Sequence, residues 1–252
     1  MRNKLMAFLQ ANKGRGAGLA VRAEGAEPEL LVYDFIVSSD ADANWWGGVS
    51  AESFARTLAG MDAPRIHIRI NSPGGDAFAG IAMANAIRAY PGEVVVHVDG
   101  YAASAAGHLT AAATRVVMGL GSMIMVHKGW TIAMGNENDF RAAADVLARL
   151  DKSQIRLFAE KNPDYDWDAA LTAETWFDAD EAIAVGLASE LADAAPNGAK
   201  ALAFDFSAFK NAPAAVEPAP APPAPAPAVD DTAALAAAAR RARIAQALAL
   251  TI

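Results

Sequence analysis

Between Arg65 and Val98 the hydrophobic period changes from two to helical and back again, and this switching restricts the fold more than any other feature of the chain. Arg65-Ile66-His67-Ile68-Arg69-Ile70 alternates apolar and polar residues as a half-buried strand does. Ala77 to Tyr90 has helical character and stops at Pro91-Gly92. Val94-Val95-Val96-His97-Val98 reads as strand once more, followed by an Ala-rich helix from about Ala103 to Ala113. The alternation extends in both directions. Leu30 to Val37 reads as a strand, and Ser50 to Ala59 as a helix capped by Ser50 with Glu52 in its first turn. Val116-Val117-Met118 and Met123-Ile124-Met125-Val126 are short strands, Asn138 to Lys161 a long helix, and Asp180 to Leu187 a short one ending near Gly186. Strands that alternate with helices need right-handed crossovers, so the sequence predicts an α/β domain.

That domain is expected over residues 29–192. Residues 1–28 are rich in Gly, Ala, Asn, Arg and Lys and read as a flexible N-terminal arm. Residues 193–229 read as an Ala/Pro-rich linker, because seven of the thirteen prolines fall between 211 and 229, interleaved with alanine. Residues 230–252 read as an Ala/Leu-rich helix, with acid at its start and Arg240, Arg241 and Arg243 further on, as the helix dipole favours. The absence of cysteine excludes disulfides, thiolate metal sites and cysteine catalysis, and accords with a reducing cytoplasm. A net charge of −8 without a basic block argues against nucleic acid as a partner. No apolar run approaches the roughly 18 residues needed to span a bilayer, so no membrane partner is expected. No metal or cofactor motif is found.

Two segments carry candidate chemistry. Ser104 follows a strand and opens a helix, which exposes its hydroxyl near free helix N–H groups. Its neighbours two positions away are Ala102 and Ala106, not the glycines of a nucleophile elbow. Asn71-Ser72-Pro73-Gly74-Gly75-Asp76 lies between a strand and a helix, where two glycines let the backbone come close to a ligand. No Gly-Lys-Ser/Thr follows, so it is no phosphate loop. Among four histidines, His67 and His97 sit within strands and His108 reads as a packed helix residue. His127 stands at a strand exit, where a base can reach a cleft.

In order and spacing, Ile70-Asn71-Ser72-Pro73-Gly74-Gly75, Gly100-Tyr101-Ala102-Ala103-Ser104-Ala105-Ala106-Gly107, Met123-Ile124-Met125-Val126-His127 and Trp176-Phe177-Asp178-Ala179-Asp180-Glu181-Ala182 resemble the Clp protease proteolytic subunit family. Within it, the chain looks most similar to the Clp-like head-maturation proteases of bacteriophages. The resemblance implies a ClpP/crotonase-like spiral of ββα units with a protruding handle helix. It implies Ser104 as nucleophile, His127 as general base, and the N–H groups of Gly75 and Ala105 as an oxyanion hole. Where the family carries its usual aspartate this chain has Glu174; Asp178 or Asp180 in its place, or no acid at all, are the alternatives. Gly74, Gly129 and Trp130 would bind substrate, with the segment from Lys128 to Gly135 pairing to extended polypeptide.

The implied partners are protein substrates, including scaffold and capsid proteins, other copies of the chain in a ring, and an unfoldase ATPase. An acyl-CoA enzyme of the crotonase superfamily shares the fold without a serine–histidine pair. A catalytically silent capsid-assembly module is the reading outside enzymology.

Overall fold

The computed structural model describes residues 4–22, 27–193 and 204–213. Along the chain run α1 (Lys4–Asn12), β1 (Gly18–Arg22), β2 (Glu29–Tyr33), β3 (Ile36–Val37), α2 (Asp40–Trp46), β4 (Val49–Ser50), α3 (Ala51–Ala59), β5 (Arg65–Ser72) and α4 (Ala77–Ala89). Then come β6 (Glu93–Ala103), α5 (Gly107–Ala112), β7 (Arg115–Met118), β8 (Met123–Val126), α6 (Glu137–Ala159), α7 (Trp167–Ala173), β9 (Thr175–Phe177), α8 (Ala179–Ala184) and β10 (Glu190–Leu191).

The main sheet has eight strands, ordered β1-β2-β5-β6-β7-β10, with β8 and β9 joined through β6. β2, β5, β6 and β7 are parallel neighbours, as crossover connections require. The period-two pattern of β5 is realised literally. Ile66, Ile68 and Ile70 are fully buried, while His67 and Arg69 point to the opposite face. There Arg69 pairs with Asp99, which also accepts the Tyr33 hydroxyl. On the apolar face, α3 and α4 pack Phe54, Leu58, Met83 and Ile87 against those isoleucines in one core. This is the α/β architecture that the alternating periods predict, and its ββα units are those the resemblance implies.

β6 determines where the site lies. Its eleven residues pair with β5 along one edge, but the other edge is divided between two strands. Val95 to Val98 pair with β7, and Tyr101 to Ala103 pair with β8. The ends of β6 and β8 therefore emerge side by side, with Ala103 opposite Met125. β9 runs antiparallel to β8, with Val126 opposite Thr175.

Several elements differ from the sequence reading. The stretch 30–37 is two strands, because the chain turns at Asp34-Phe35 and Ile36–Val37 pairs with β4 in a separate small sheet. Helices α2 and α7 were not expected; both are short, and each is fixed by an N-cap, Ser39 and Asp166 respectively, that satisfies a first-turn N–H. The Ala-rich helix is shorter than expected: strand continues to Ala103, a 3-10 turn covers Ser104–Ala106, and α5 begins at Gly107. Within the segment read as an arm, α1 buries Phe8 and β1 adds an antiparallel edge strand to β2. Within the segment read as a linker, Phe204, Phe206 and Phe209 are buried in an aromatic cluster with Phe8, Ala103 and Met125. The helix expected over 230–252 lies outside the described residues.

Helix α6 opens on a capping box between Asn136 and Asp139 and runs for 23 residues. Its buried residues are Leu150, Gln154, Leu157 and Phe158, all in the second half. Phe140 and Val146, on the first half, stay about half exposed, at 53% and 49%. The second half is a core face and the first half projects as a handle.

Trp167 anchors that second half. It is 2% exposed, stacks on Phe158 at 5.3 Å between centroids, and donates Nε1–H to the Asn162 carbonyl at 2.8 Å. Trp167→Ala should lower unfolding free energy by about 3–5 kcal/mol, read from the shift of the urea midpoint at unchanged slope.

Candidate active site

Ser104 is the first residue after β6, and its φ of 53° is left-handed. Only one other non-glycine residue described has positive φ: Glu174, at 56°. Such a conformation costs a side-chain-bearing residue on the order of 1–3 kcal/mol and persists where the surroundings enforce it. Here the enforcing neighbour is the 72–75 turn. A Cβ on Gly74 would lie 2.7 Å from Ser104 Cβ and 3.0 Å from the Ala105 nitrogen, so only glycine permits this approach. The turn is held from its other side by Ile36 N–H donating to the Gly74 carbonyl at 2.7 Å and Asp76 N–H donating to the Ile36 carbonyl at 2.9 Å. The backbones of Gly74 and Ala105 thus crowd one side of Ser104.

The divided edge of β6 brings His127, the residue after β8, to the other side. His127 Nε2 stands 2.7 Å from Ser104 Oγ. With the ring proton on Nδ1, the hydroxyl donates to Nε2 and the imidazole can take its proton. His127 is only 8% exposed, and burial pushes its pKa down to about 4, against a smaller upward pull from Glu174. The imidazole is therefore neutral at neutral pH, the form a general base needs.

Glu174 lies near enough for its charge to act on His127, but it is not bonded to the ring. The β8–β9 ladder ends on Val126 opposite Thr175, one residue short of His127 and Glu174. His127 Nδ1 is buried without a hydrogen-bond partner. Glu174 Oε1 instead accepts the backbone N–H of Asn211 at 2.6 Å. A buried donor left unpaired costs about 1–3 kcal/mol. Asp178 is occupied elsewhere, capping α8 by accepting the Glu181 N–H at 2.9 Å. Asp180 lies in the first turn of the same helix.

A cleft of about 590 Å³ opens beside Ser104 and His127, walled by Phe35, Phe78, Trp130, Leu147 and Phe209 among others. Trp130 meets the His127 ring edge-on at 4.8 Å. Gly129 is packed beneath α6, its N–H donated to Asp151 Oδ1 at 2.9 Å. Residues 127–134 form no regular strand. His108 is buried behind the site, with Nε2 2.9 Å from Gln154 Oε1, and does not reach Ser104 Oγ. His67 and His97 meet each other on the far face of the sheet, at 2.8 Å. Among the described residues no cluster of His, Asp and Glu is arranged to hold a metal, and no helix is long and apolar enough to cross a membrane.

The sequence reading missed Phe209 and Asn211, which touch His127 and Glu174 from a segment taken as linker. One signal was available: Phe204, Phe206 and Phe209 concentrate three of ten phenylalanines in six residues of otherwise Ala/Pro-rich chain.

Two measurements check this geometry. Acylation of Ser104 by a fluorophosphonate should hold its rate from neutral pH to about pH 5 and fall only near the depressed His127 pKa of about 4; an inflection at or above about 6.5, the ordinary histidine value, would contradict a buried neutral base. Gly74→Ala should slow that acylation by about 100-fold or more, because the added methyl displaces Ser104 and the adjoining amides; an unchanged rate would mean the turn does not set the site.

The Clp protease family matches residues 50–195. The chain is 34% identical over 149 residues to the ATP-dependent Clp protease proteolytic subunit 3 of Rhodococcus jostii (strain RHA1), covering 56% of this chain and 74% of that protein. It is 31% identical over 139 residues to the ATP-dependent Clp protease proteolytic subunit 1 of Mycobacterium leprae (strain TN), covering 53% and 70% respectively. Among solved structures, a ClpP1 point mutant from Listeria monocytogenes superposes with a TM-score of 0.54 at 21% identity, over 65% of this chain and 90% of that one, a likeness of fold. With its ββα sheet, its handle helix and a family match spanning most of the domain, this chain belongs to the Clp protease family.

Proposed function

We propose that the chain is a serine endopeptidase acting on extended polypeptide, with Ser104 as nucleophile and His127 as general base. The observation that carries this reading is the 2.7 Å approach of Ser104 Oγ to His127 Nε2 across two adjoining strand ends. Attack by Oγ on a peptide carbonyl transfers the hydroxyl proton to Nε2, and the imidazolium then returns it to the leaving amine. The oxyanion of the tetrahedral intermediate would sit between the N–H groups of Gly75 and Ala105, with Gly74 and Trp130 shaping the entrance. Glu174 would complete the set by accepting Nδ1–H. No cofactor takes part in this scheme.

The working form in this reading is a homo-oligomeric ring. Its support is the uncovered first half of α6, where Phe140 and Val146 are exposed, together with Met134 at 90% just before it. The names of the relatives include "ATP-dependent", and an unfoldase ATPase that delivers substrate comes to this chain with them as part of the proposal. So does a cytoplasmic setting. For substrates we propose scaffold and capsid proteins cleaved during bacteriophage prohead maturation. This rests on the chain's overall similarity to the Clp-like head-maturation proteases and on the Ala/Pro-rich tail beyond residue 211.

Casein and a candidate scaffold protein, each incubated with the chain and with Ser104→Ala, test the activity. Cleavage should fall by on the order of 10⁶-fold in the variant, and a fluorophosphonate should label the native serine alone. Cleavage that persists in Ser104→Ala, or a serine that never labels even when Asn211 is replaced, would leave the fold without the function, as in an acyl-CoA enzyme or a silent assembly module.

A further inference from the structure

Residues 204–213 cross the site as a strap. At one end Asp205 N–H donates to Asn12 Oδ1 at 2.7 Å, and Asn12 Nδ2 donates back to the Asp205 carbonyl at 2.9 Å. Phe206 is held between Tyr101 and Trp176, at 4.7 and 5.2 Å between centroids. Phe209 reaches the base itself, 5.2 Å from the His127 ring and 4.9 Å from Trp130, and forms part of the cleft wall. Asn211 then fastens the far end. Its Nδ2 donates to the Ala173 carbonyl at 2.7 Å and to the Glu174 carbonyl at 3.2 Å, while its backbone N–H takes Glu174 Oε1.

Those contacts coincide with two signs of a site left incomplete. Glu174 follows on from the Val126–Thr175 pair closely enough for its charge to act on His127, yet the buried Nδ1 of His127 has no hydrogen-bond partner. The carboxylate that ought to meet it is turned to the strap. A single amide thus decides whether the acid faces the base or the C-terminal segment.

We infer that residues 204–213 are an autoinhibitory latch: Asn211 withholds Glu174 from His127 while Phe209 covers Trp130 at the cleft wall. The inference rests on the peptidase reading for its consequence, but the contact it concerns is structural. Release of Asn211 frees Glu174 to accept Nδ1–H, which fixes the tautomer that presents a bare Nε2 to the serine and stabilises the imidazolium formed during attack. The natural trigger is extended polypeptide entering the cleft, because its side chains compete with Phe209 for Trp130.

Asn211→Pro removes the N–H that binds Glu174, and Asn211→Ala, the milder change, removes the two side-chain anchors. Both full-length variants are compared with the native chain by circular dichroism, by the rate of Ser104 acylation with a fluorophosphonate, and by proton NMR of the His127 ring. Folded Asn211→Pro should gain a strongly deshielded Nδ1 proton resonance and acylate at least about tenfold faster. Asn211→Ala should shift both in the same direction by less, and it carries the test alone if the proline variant does not fold. Adding Glu174→Gln should abolish both gains. Absence of the new resonance, acylation no faster than in a reactive native chain, or a gain that survives Glu174→Gln would overturn the latch. If the resonance appears while Ser104 stays inert in every form, the latch stands and the peptidase reading falls.

Discussion

Everything at the site depends on one strand having two neighbours along the same edge. β6 gives its first half to β7 and its second half to β8, so two segments separated by more than twenty residues end abreast. The hydroxyl after one strand and the imidazole after the other then meet without any loop having to reach. The arrangement is rigid for the same reason: Ala102, Ala103, Ile124 and Met125 behind the pair are fully buried. A site built on strand ends inherits the precision of the ladder.

The strain is concentrated where the chemistry lies. Ser104 and Glu174, the two non-glycine residues with positive φ among those described, stand on either side of His127. The first is held by the close approach of Gly74, the second by the end of α7, where its own N–H closes on the Leu171 carbonyl. Burial of His127 adds an electrostatic constraint, since a depressed pKa keeps the ring neutral and able to accept a proton. Set by that left-handed backbone, the Glu174 carboxylate accepts the Asn211 amide.

Much of the fold was legible because its signals are local. The alternation in Arg65–Ile70 and the proline-glycine stop after Tyr90 each act through neighbouring residues, and both elements formed as read. α2 and α7 were not legible, since seven residues hold too little periodicity to separate a helix from a capped turn. The break at Asp34-Phe35 escaped for a different reason. Leu30 to Val37 is uniformly apolar apart from Asp34, and only pairing with β4 shows that the strand has changed sheets.

The sequence by itself determined the alternating α/β framework, the two glycines that admit a backbone beside Ser104, and the identity of the residues able to exchange a proton. Those properties follow from side-chain period and type, which act over a few residues. Tertiary structure alone decided that position 127 meets position 104, that Glu174 bonds to Asn211, and that Phe209, from a segment read as linker, packs against the His127 ring. Each of these is a contact between distant segments, fixed by strand register and by the burial of aromatic rings. No local pattern encodes a register between strands some fifty residues apart.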